Sequence, residues 1–422
     1  YLLFLLNARY LGLDMQVEIM AGIVLLGIAS WILLRNMAGA GRRDAAPMPA
    51  LALLTAGVIL MSFNQWANFD YGLLSLGGFG GMLAHFLVLL GFARLLGTGL
   101  DRRQGALLAA ALILAVLGFS GARSPALVGS CLLAALAAWW VMPEARGRIL
   151  RQAGLFLAGG AIVIGIYLTL LHQPQSLNQN LGDGVRAVLL HPLEALAYLS
   201  GVVGQSMFDR TLAKGVTRAI GLSNWLPACG YLLLGWCLWR YFRARYWRTS
   251  WMPLLLIAYS ALFTLEVLVG RYGADGQLGS KVPRYVFDAH LWLVGCAWIL
   301  GLDWRERLPQ DRPWWRRAMP IALLTAMLGL ELVNGWLAYR RWPFEVADGA
   351  AVGLRLRAVI TGEGTVDGLP DWECPSKELC TQGLAILQKH HLSIARDAAD
   401  PEVLSALRKS ASWLQKTPQP PP

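Results

Sequence analysis

The stretch WCLWRYFRARYWRTSWMPLLLIAYSALFTLEVLVG, residues 236–270, decides the fold. One apolar run closes on Arg240, Arg243, Arg245 and Arg248, and a second, 252–270, follows directly. About 20 mostly apolar residues let a helix cross the hydrocarbon of a bilayer. The stretch therefore reads as two membrane spans joined by a short basic loop.

Working outward, the same alternation recurs along the chain. Apolar stretches fall at 17–35, 50–66, 75–93, 105–119, 126–142, 153–171, 220–239, 252–270, 286–302 and 319–338. The arginines between them concentrate in every second gap: 36–49, 94–104, 143–152, 240–251 and 303–318. Short cytoplasmic loops retain basic residues, so these five gaps are expected in the cytoplasm and the other loops and both ends outside it. The fold class is all-α: a polytopic transmembrane bundle of about ten helices with a small soluble helical tail.

Composition agrees. A mean hydropathy of +0.47 and 56% hydrophobic residues exclude an ordinary soluble domain of 422 residues. The net charge of +11 resides mostly in the arginine-rich gaps, and no basic run with interleaved aromatics forms a single-strand nucleic-acid groove. The lysines, including Lys214, Lys281 and Lys377, fall on the opposite side, which the charge rule does not explain. Trp66, Trp225, Trp247, Trp251, Trp314, Trp315 and Trp336 lie near span ends, where indole rings favour the headgroup region. The opening YLLFLLNARYLGLD lacks a basic signal-peptide start, and an upstream helix and loop are expected before Tyr1.

Residues 1–338 form the membrane domain, interrupted by an extracytoplasmic stretch at 172–219. Its second part, VRAVLLHPLEALAYLSGVVG, reads as an amphipathic or re-entrant helix, bent near Pro192 and ended by Gly201 and Gly204. Residues 339–415 form the tail, with helical periodicity at 345–360 and 380–395. A third helix starts at Asp400 as N-cap, followed by Pro401 and Glu402. The proline-rich end, 416–422, is expected to be disordered. Internal repeats and GxxxxGK, GxGxxG and HExxH motifs are absent from the sequence.

Three constellations could carry chemistry. In FNQWANFDYG, 63–72, the amides and carboxylate of Gln65, Asn68 and Asp70 lie among Trp66, Phe69 and Tyr71, as in a sugar-binding pocket. The same residues also suit an interfacial aromatic belt with a polar turn. In GRYGADGQLGSKVPRYVFDAH, 270–290, Arg271, Lys281 and Arg284 cluster in a translocated loop where the charge rule disfavours them. Guanidinium groups bind phosphate in bidentate fashion, so Arg271, Arg284 and Tyr285 are candidates for seating a lipid-linked phosphate in a cavity shared with Asp70. Headgroup contact, or pairing with Asp275 and Asp288, is the alternative. Arg123, in GFSGARSP, either lines a cavity at a bent backbone or snorkels from a tight hairpin. His85, Glu266 and Glu331 are isolated ionisable groups within spans. His85 reads as a satisfied core histidine, and the two glutamates as reaching water or pairing with Arg271 and Arg341.

Cys374 and Cys380 share the polar segment WECPSKELC in the oxidising compartment, and a disulfide between them would close a small loop. Only His390 and His391 lie nearby, too few partners for a zinc site.

FNQWANFDYG, GFSGARS, HPLEALAYLSGVVG and GRYG…VPRY, in that order, resemble a group of largely uncharacterised bacterial polytopic inner-membrane proteins described as glycosyltransferase-like. The resemblance covers roughly 50–300 and departs at Asp70 and Tyr71, where a Trp-Gly-like continuation is expected. Such proteins are similar in architecture to GT-C-class glycosyltransferases. The resemblance implies a polyprenyl-phosphate sugar as donor, compatible with a divalent metal, and a role in cell-envelope polysaccharide or glycolipid synthesis at the bacterial inner membrane. It also implies a catalytic carboxylate in the first extracytoplasmic loop, upstream of Tyr1, with Asp70 the candidate within this chain. An O-antigen polymerase or ligase would use the same donor chemistry. A transporter or flippase of lipid-linked sugars, or a non-catalytic assembly subunit, are the readings from other classes. Membrane lipid and the lipid-linked sugar are the expected partners; no protein partner is indicated.

Overall fold

The computed structural model describes residues 7, 9–11, 14–39, 47–62, 72–119, 123–167, 169, 181–207, 225–275, 286–306, 314–369, 377–390, 395 and 400–416. Among them every regular element is a helix. In order these are α1 (Met15–Ala38), α2 (Ala50–Leu60), α3 (Gly72–Gly97), α4 (Arg102–Ile113), α5 (Ser124–Val141), α6 (Arg146–Ile166), α7 (Leu181–Leu190), α8 (Pro192–Met207), α9 (Trp225–Arg243), α10 (Met252–Asp275), α11 (Val286–Glu306), α12 (Trp314–Thr361), α13 (Lys377–Lys389) and α14 (Pro401–Lys416). A π-helical turn, Leu114–Phe119, continues α4. In lipid each backbone N–H and C=O needs an internal partner, which a helix supplies.

Six of these helices are long and apolar enough to cross a membrane, seven if the bent pair α7–α8 counts as one span. This is the architecture of a multi-pass membrane protein. Outward-facing side chains agree: Leu155 and Ile162 on α6 and Leu232 on α9 are 71%, 64% and 74% exposed, a surface that suits lipid and not water. Helices cover all ten apolar stretches, but α2 has only 11 residues, and α4, α9 and α11 fall short of the length or apolarity of an isolated span.

The chain divides into two compact units. The larger, Ala21–Gly335, is organised on the pair α10 and α11, which run antiparallel: Ser260 bonds the Ala289 carbonyl at 2.8 Å, and Tyr246 bonds Asp303 at 2.7 Å. α11 is enclosed on every side, with 287–303 buried throughout, by α2, α8, α9 and α10. Two glycines allow this. A Cβ on Gly295 would lie 2.8 Å from the Pro253 carbonyl of α10, and one on Gly301 2.8 Å from Ala52 of α2. α10 also packs on α3, α5, α7 and α8, while α6 lies against α3 and α5.

The bend expected near Pro192 is present, α7 and α8 meeting at 109°. Gly201 and Gly204, however, do not end the helix, which continues to Met207. Gly204 serves contact instead, Pro227 lying 3.4 Å from where its Cβ would stand. α4 begins with a capping box in which the Asp101 side chain accepts from the Gln104 amide at 2.8 Å and Gln104 accepts from the Asp101 amide.

The second unit comprises Tyr1–Met20 and Trp336–Pro422. Residues 345–360 belong to α12 and are not a separate helix, because the stop signal comes only at Gly362. Gly362 has φ +82°, and the Glu363 amide bonds back to the Ala358 carbonyl at 2.8 Å, a Schellman closure. The helix expected at 380–395 occupies Lys377–Lys389. α14 begins as its sequence predicts, the Asp400 carboxylate accepting from the Glu402 amide at 2.8 Å. Near the start of the chain, Asn7 donates to Glu18 at 2.8 Å. The end 417–422 lies outside the described residues.

Candidate functional site

The site lies within the larger unit, where α3, α5 and α11 begin, at the end opposite the arginine-rich gaps. Arg123 directly precedes α5, where Ser124 and Pro125 start the helix. Its guanidinium lies 3.3 Å from the Asp288 carboxylate. It also donates to the Gly78 carbonyl of α3 at 3.5 Å and lies 5.8 Å from the Phe263 ring centroid of α10. Three helices thus fix one cation.

Asp288 is fully buried in the first turn of α11. A buried carboxylate persists only when paired and hydrogen-bonded, and Asp288 is both. Arg123 faces one oxygen, and the Tyr259 hydroxyl donates to the other at 2.7 Å. The same hydroxyl lies 3.2 Å from Nδ1 of His85, itself fully buried in α3. A phenol has one hydrogen and a carboxylate can only accept. Tyr259 therefore donates to Asp288, and His85 must carry its own proton on Nδ1 to complete the contact. Nε2 of His85 has no hydrogen-bond partner among the described residues.

Arg123, Asp288, Tyr259 and His85 form a continuous polar chain from the start of α5 into the bundle. The apolar segment of α10 is Met252–Gly270, so Tyr259 stands near its middle. Phe263 stacks on Tyr259, centroids 6.3 Å apart, and Phe79 meets Phe287 edge-on at 5.7 Å, walling the chain. Glu266, on α10, interacts with Arg123 and Asp288 and lies by the Ala126 amide in the first turn of α5; its Oε2 is buried without a hydrogen-bond partner among the described residues.

Two other polar groups brace the unit. Trp292 donates to Ser206 at 3.0 Å, Asn334 donates to the Met207 carbonyl at 2.8 Å, and Ser62 bonds Glu331, linking α2, α8, α11 and α12. At the arginine-rich end, Asp303 accepts from Arg240 and from Tyr246. Burial pushes the Tyr246 hydroxyl pKa well up, and the Asp303 charge adds to it.

Arg123 does not snorkel: its side chain is 17% exposed and paired inside the bundle. Glu331 meets Ser62, and His85 is bonded on one nitrogen only. Gln65, Trp66, Asn68, Asp70, Arg284, Tyr285 and Cys374, and the side chain of Arg271, lie outside the described residues. Cys380 is disulfide-bonded, whereas Cys131, Cys229, Cys237 and Cys296 are free thiols. Among the described residues no cluster of His, Cys, Asp and Glu could hold a metal ion.

The sequence reading missed Tyr259 altogether and treated Asp288 only as a pairing option. The available signal was an acid just inside an apolar stretch, with a helix-breaking arginine elsewhere in the membrane domain. The described neighbours of the two undescribed candidate segments join this site through the chain itself: α3, which supplies Gly78 and His85, follows 63–71, and Val286, two residues before Asp288, follows 276–285. No protein-family model, curated protein or solved structure matches the chain.

Proposed function

We propose that this is a membrane glycosyltransferase of GT-C-like type, using a polyprenyl-linked sugar at the extracytoplasmic face of a bacterial inner membrane for cell-envelope polysaccharide or glycolipid synthesis. The observation that supports it best is Arg123, a guanidinium held within the bundle by Asp288, the Gly78 carbonyl and Phe263. Such a group binds the phosphate of a donor with charge-assisted hydrogen bonds and stabilises it as it leaves. Arg271 and Arg284 complete the phosphate seat, with Gln65, Trp66, Asn68 and Tyr285 contacting sugar. Glu266 takes the acceptor proton, because one of its oxygens has no hydrogen-bond partner among the described residues. The acceptor oxygen bonds to the anomeric carbon, the carbon–oxygen bond to phosphate breaks, and the phosphate departs with the electron pair. Asp70 is the alternative base. In this reading about ten helices span the membrane, the arginine-rich gaps face the cytoplasm, and the tail lies outside.

Membranes containing the full chain, supplied with a radiolabelled polyprenyl-linked sugar, test the reading. Glu266→Gln should abolish transfer while donor binding persists, and Arg123→Lys should weaken donor binding. Unchanged transfer in both variants overturns it.

Transport of a lipid-linked sugar is the second reading, favoured by the 109° break between α7 and α8 and by the polar chain reaching His85. It predicts donor crossing between leaflets with its glycosidic bond intact.

A further inference from the structure

The opposite end of the larger unit holds a cavity of about 830 Å³ between α1, α3, α4 and the residues leading into α10. Its polar part is formed by Arg35, Arg94, Gln104 and Ser250, and its apolar part includes Trp31 and Leu107. None of the described lining residues is acidic. Arg35 and Arg94 make no ion pair among the described residues. Both are exposed and stand in the last turns of α1 and α3, so two cations line one recess without a counter-charge among the described residues.

The recess also has the polarity gradient of a lipid site. Arg35 lies 5.2 Å from the Trp31 ring centroid, a guanidinium over an indole, a pair of groups that suits the headgroup region. Below it, Trp31 is 58% and Leu107 63% exposed, an apolar flank open to the surroundings. α3 and α4 close the recess behind: a Cβ on Gly91 would stand 2.8 Å from Leu108. A small soluble anion would use the arginines and leave the apolar flank unused.

We infer that this cavity binds an anionic phospholipid, its phosphate between Arg35 and Arg94 and its acyl chains along Trp31 and Leu107. The inference is independent of the glycosyl-transfer site, which lies at the other end. A basic pocket between spans is a recognised way to hold acidic headgroups.

Native mass spectrometry of the full chain, released from nanodiscs of equal parts phosphatidylglycerol and phosphatidylcholine, tests it. The wild type should retain phosphatidylglycerol selectively. Arg35→Gln/Arg94→Gln should lose about 30-fold of that retention, Arg35→Lys/Arg94→Lys should keep most of it, and Arg103→Gln, at the same end but outside the cavity, should keep it all. Equal retention of both lipids, or full retention by the double glutamine variant, overturns the inference. So does displacement by inorganic phosphate alone, which would mark a site for a soluble anion.

Discussion

Arg123 and Asp288, distant in sequence, face each other at 3.3 Å, and the carboxylate is fully enclosed. Removing one member leaves the other charged and buried, which typically costs about 3–5 kcal/mol, whereas removing both can be nearly neutral. Asp288→Ala should therefore destabilise the protein in mixed micelles more than Arg123→Ala/Asp288→Ala does. The double-mutant cycle should give a coupling above about 1 kcal/mol. Additive losses would mean that the pair does not act as a unit.

The proton on Nδ1 of His85 makes a separate prediction. Asparagine can place its amide N–H where Nδ1 stands, and glutamine cannot without displacing the chain. His85→Asn should be more stable than His85→Gln by about 1 kcal/mol, the worth of one buried hydrogen bond. The opposite order in detergent unfolding would mean that the contact at Nδ1 contributes nothing to stability.

Gly295 separates close packing from helix propensity. Gly295→Ala should destabilise by about 1–3 kcal/mol, because the new methyl meets Ile257 at 2.7 Å and the Pro253 carbonyl at 2.8 Å. Gly235→Ala on α9, with nothing within 4 Å, should be neutral or gain about 0.5–1 kcal/mol. Parallel melting curves of the two variants provide the comparison.

Tyr246 predicts an alkaline limit. Its folded-state pKa is raised, first by burial and then by Asp303. The neutral hydroxyl thus contributes stability that is fully present below the unfolded value of about 10 and lost as pH rises above it. Tyr246→Phe should flatten the fall in melting temperature above about pH 10 relative to wild type. Parallel curves for the two proteins would show that Tyr246 has no part in it.

The tail tests sidedness. Cys380 is disulfide-bonded, and Cys374 is its expected partner. Peptide mapping under non-reducing conditions should recover residues 374 and 380 as one cross-linked species. A cysteine placed at 245 should label only from the face opposite the tail, and labelling of both from the same side would overturn the topology.

The multi-pass character was legible because apolar length is a local property. So were the bend at Pro192 and the cap at Asp400, each set by residues within a turn. The join of 345–360 to α12 was hidden because falling hydropathy ends a membrane span without ending a helix; only Gly362 does that. The Arg123–Asp288–Tyr259–His85 chain was hidden for another reason. Its members come from four helices, and one sequence carries no sign of which faces meet. Arg123 was visible as an oddity, but its partner was not.

The enclosure of α11 bears on how the protein is made. Asp288 and His290 stand near its start and Asp303 near its end, and an aspartate opposes entry of a lone segment into lipid, by about 2.5–3.5 kcal/mol at mid-helix and by less toward the ends. Left alone at the translocon, α11 would partition poorly. Beside α10, its first aspartate already has Tyr259 as a donor. Insertion of the two helices as a hairpin would satisfy that aspartate, with the close approach of Gly295 to Pro253 formed before either helix meets bulk lipid.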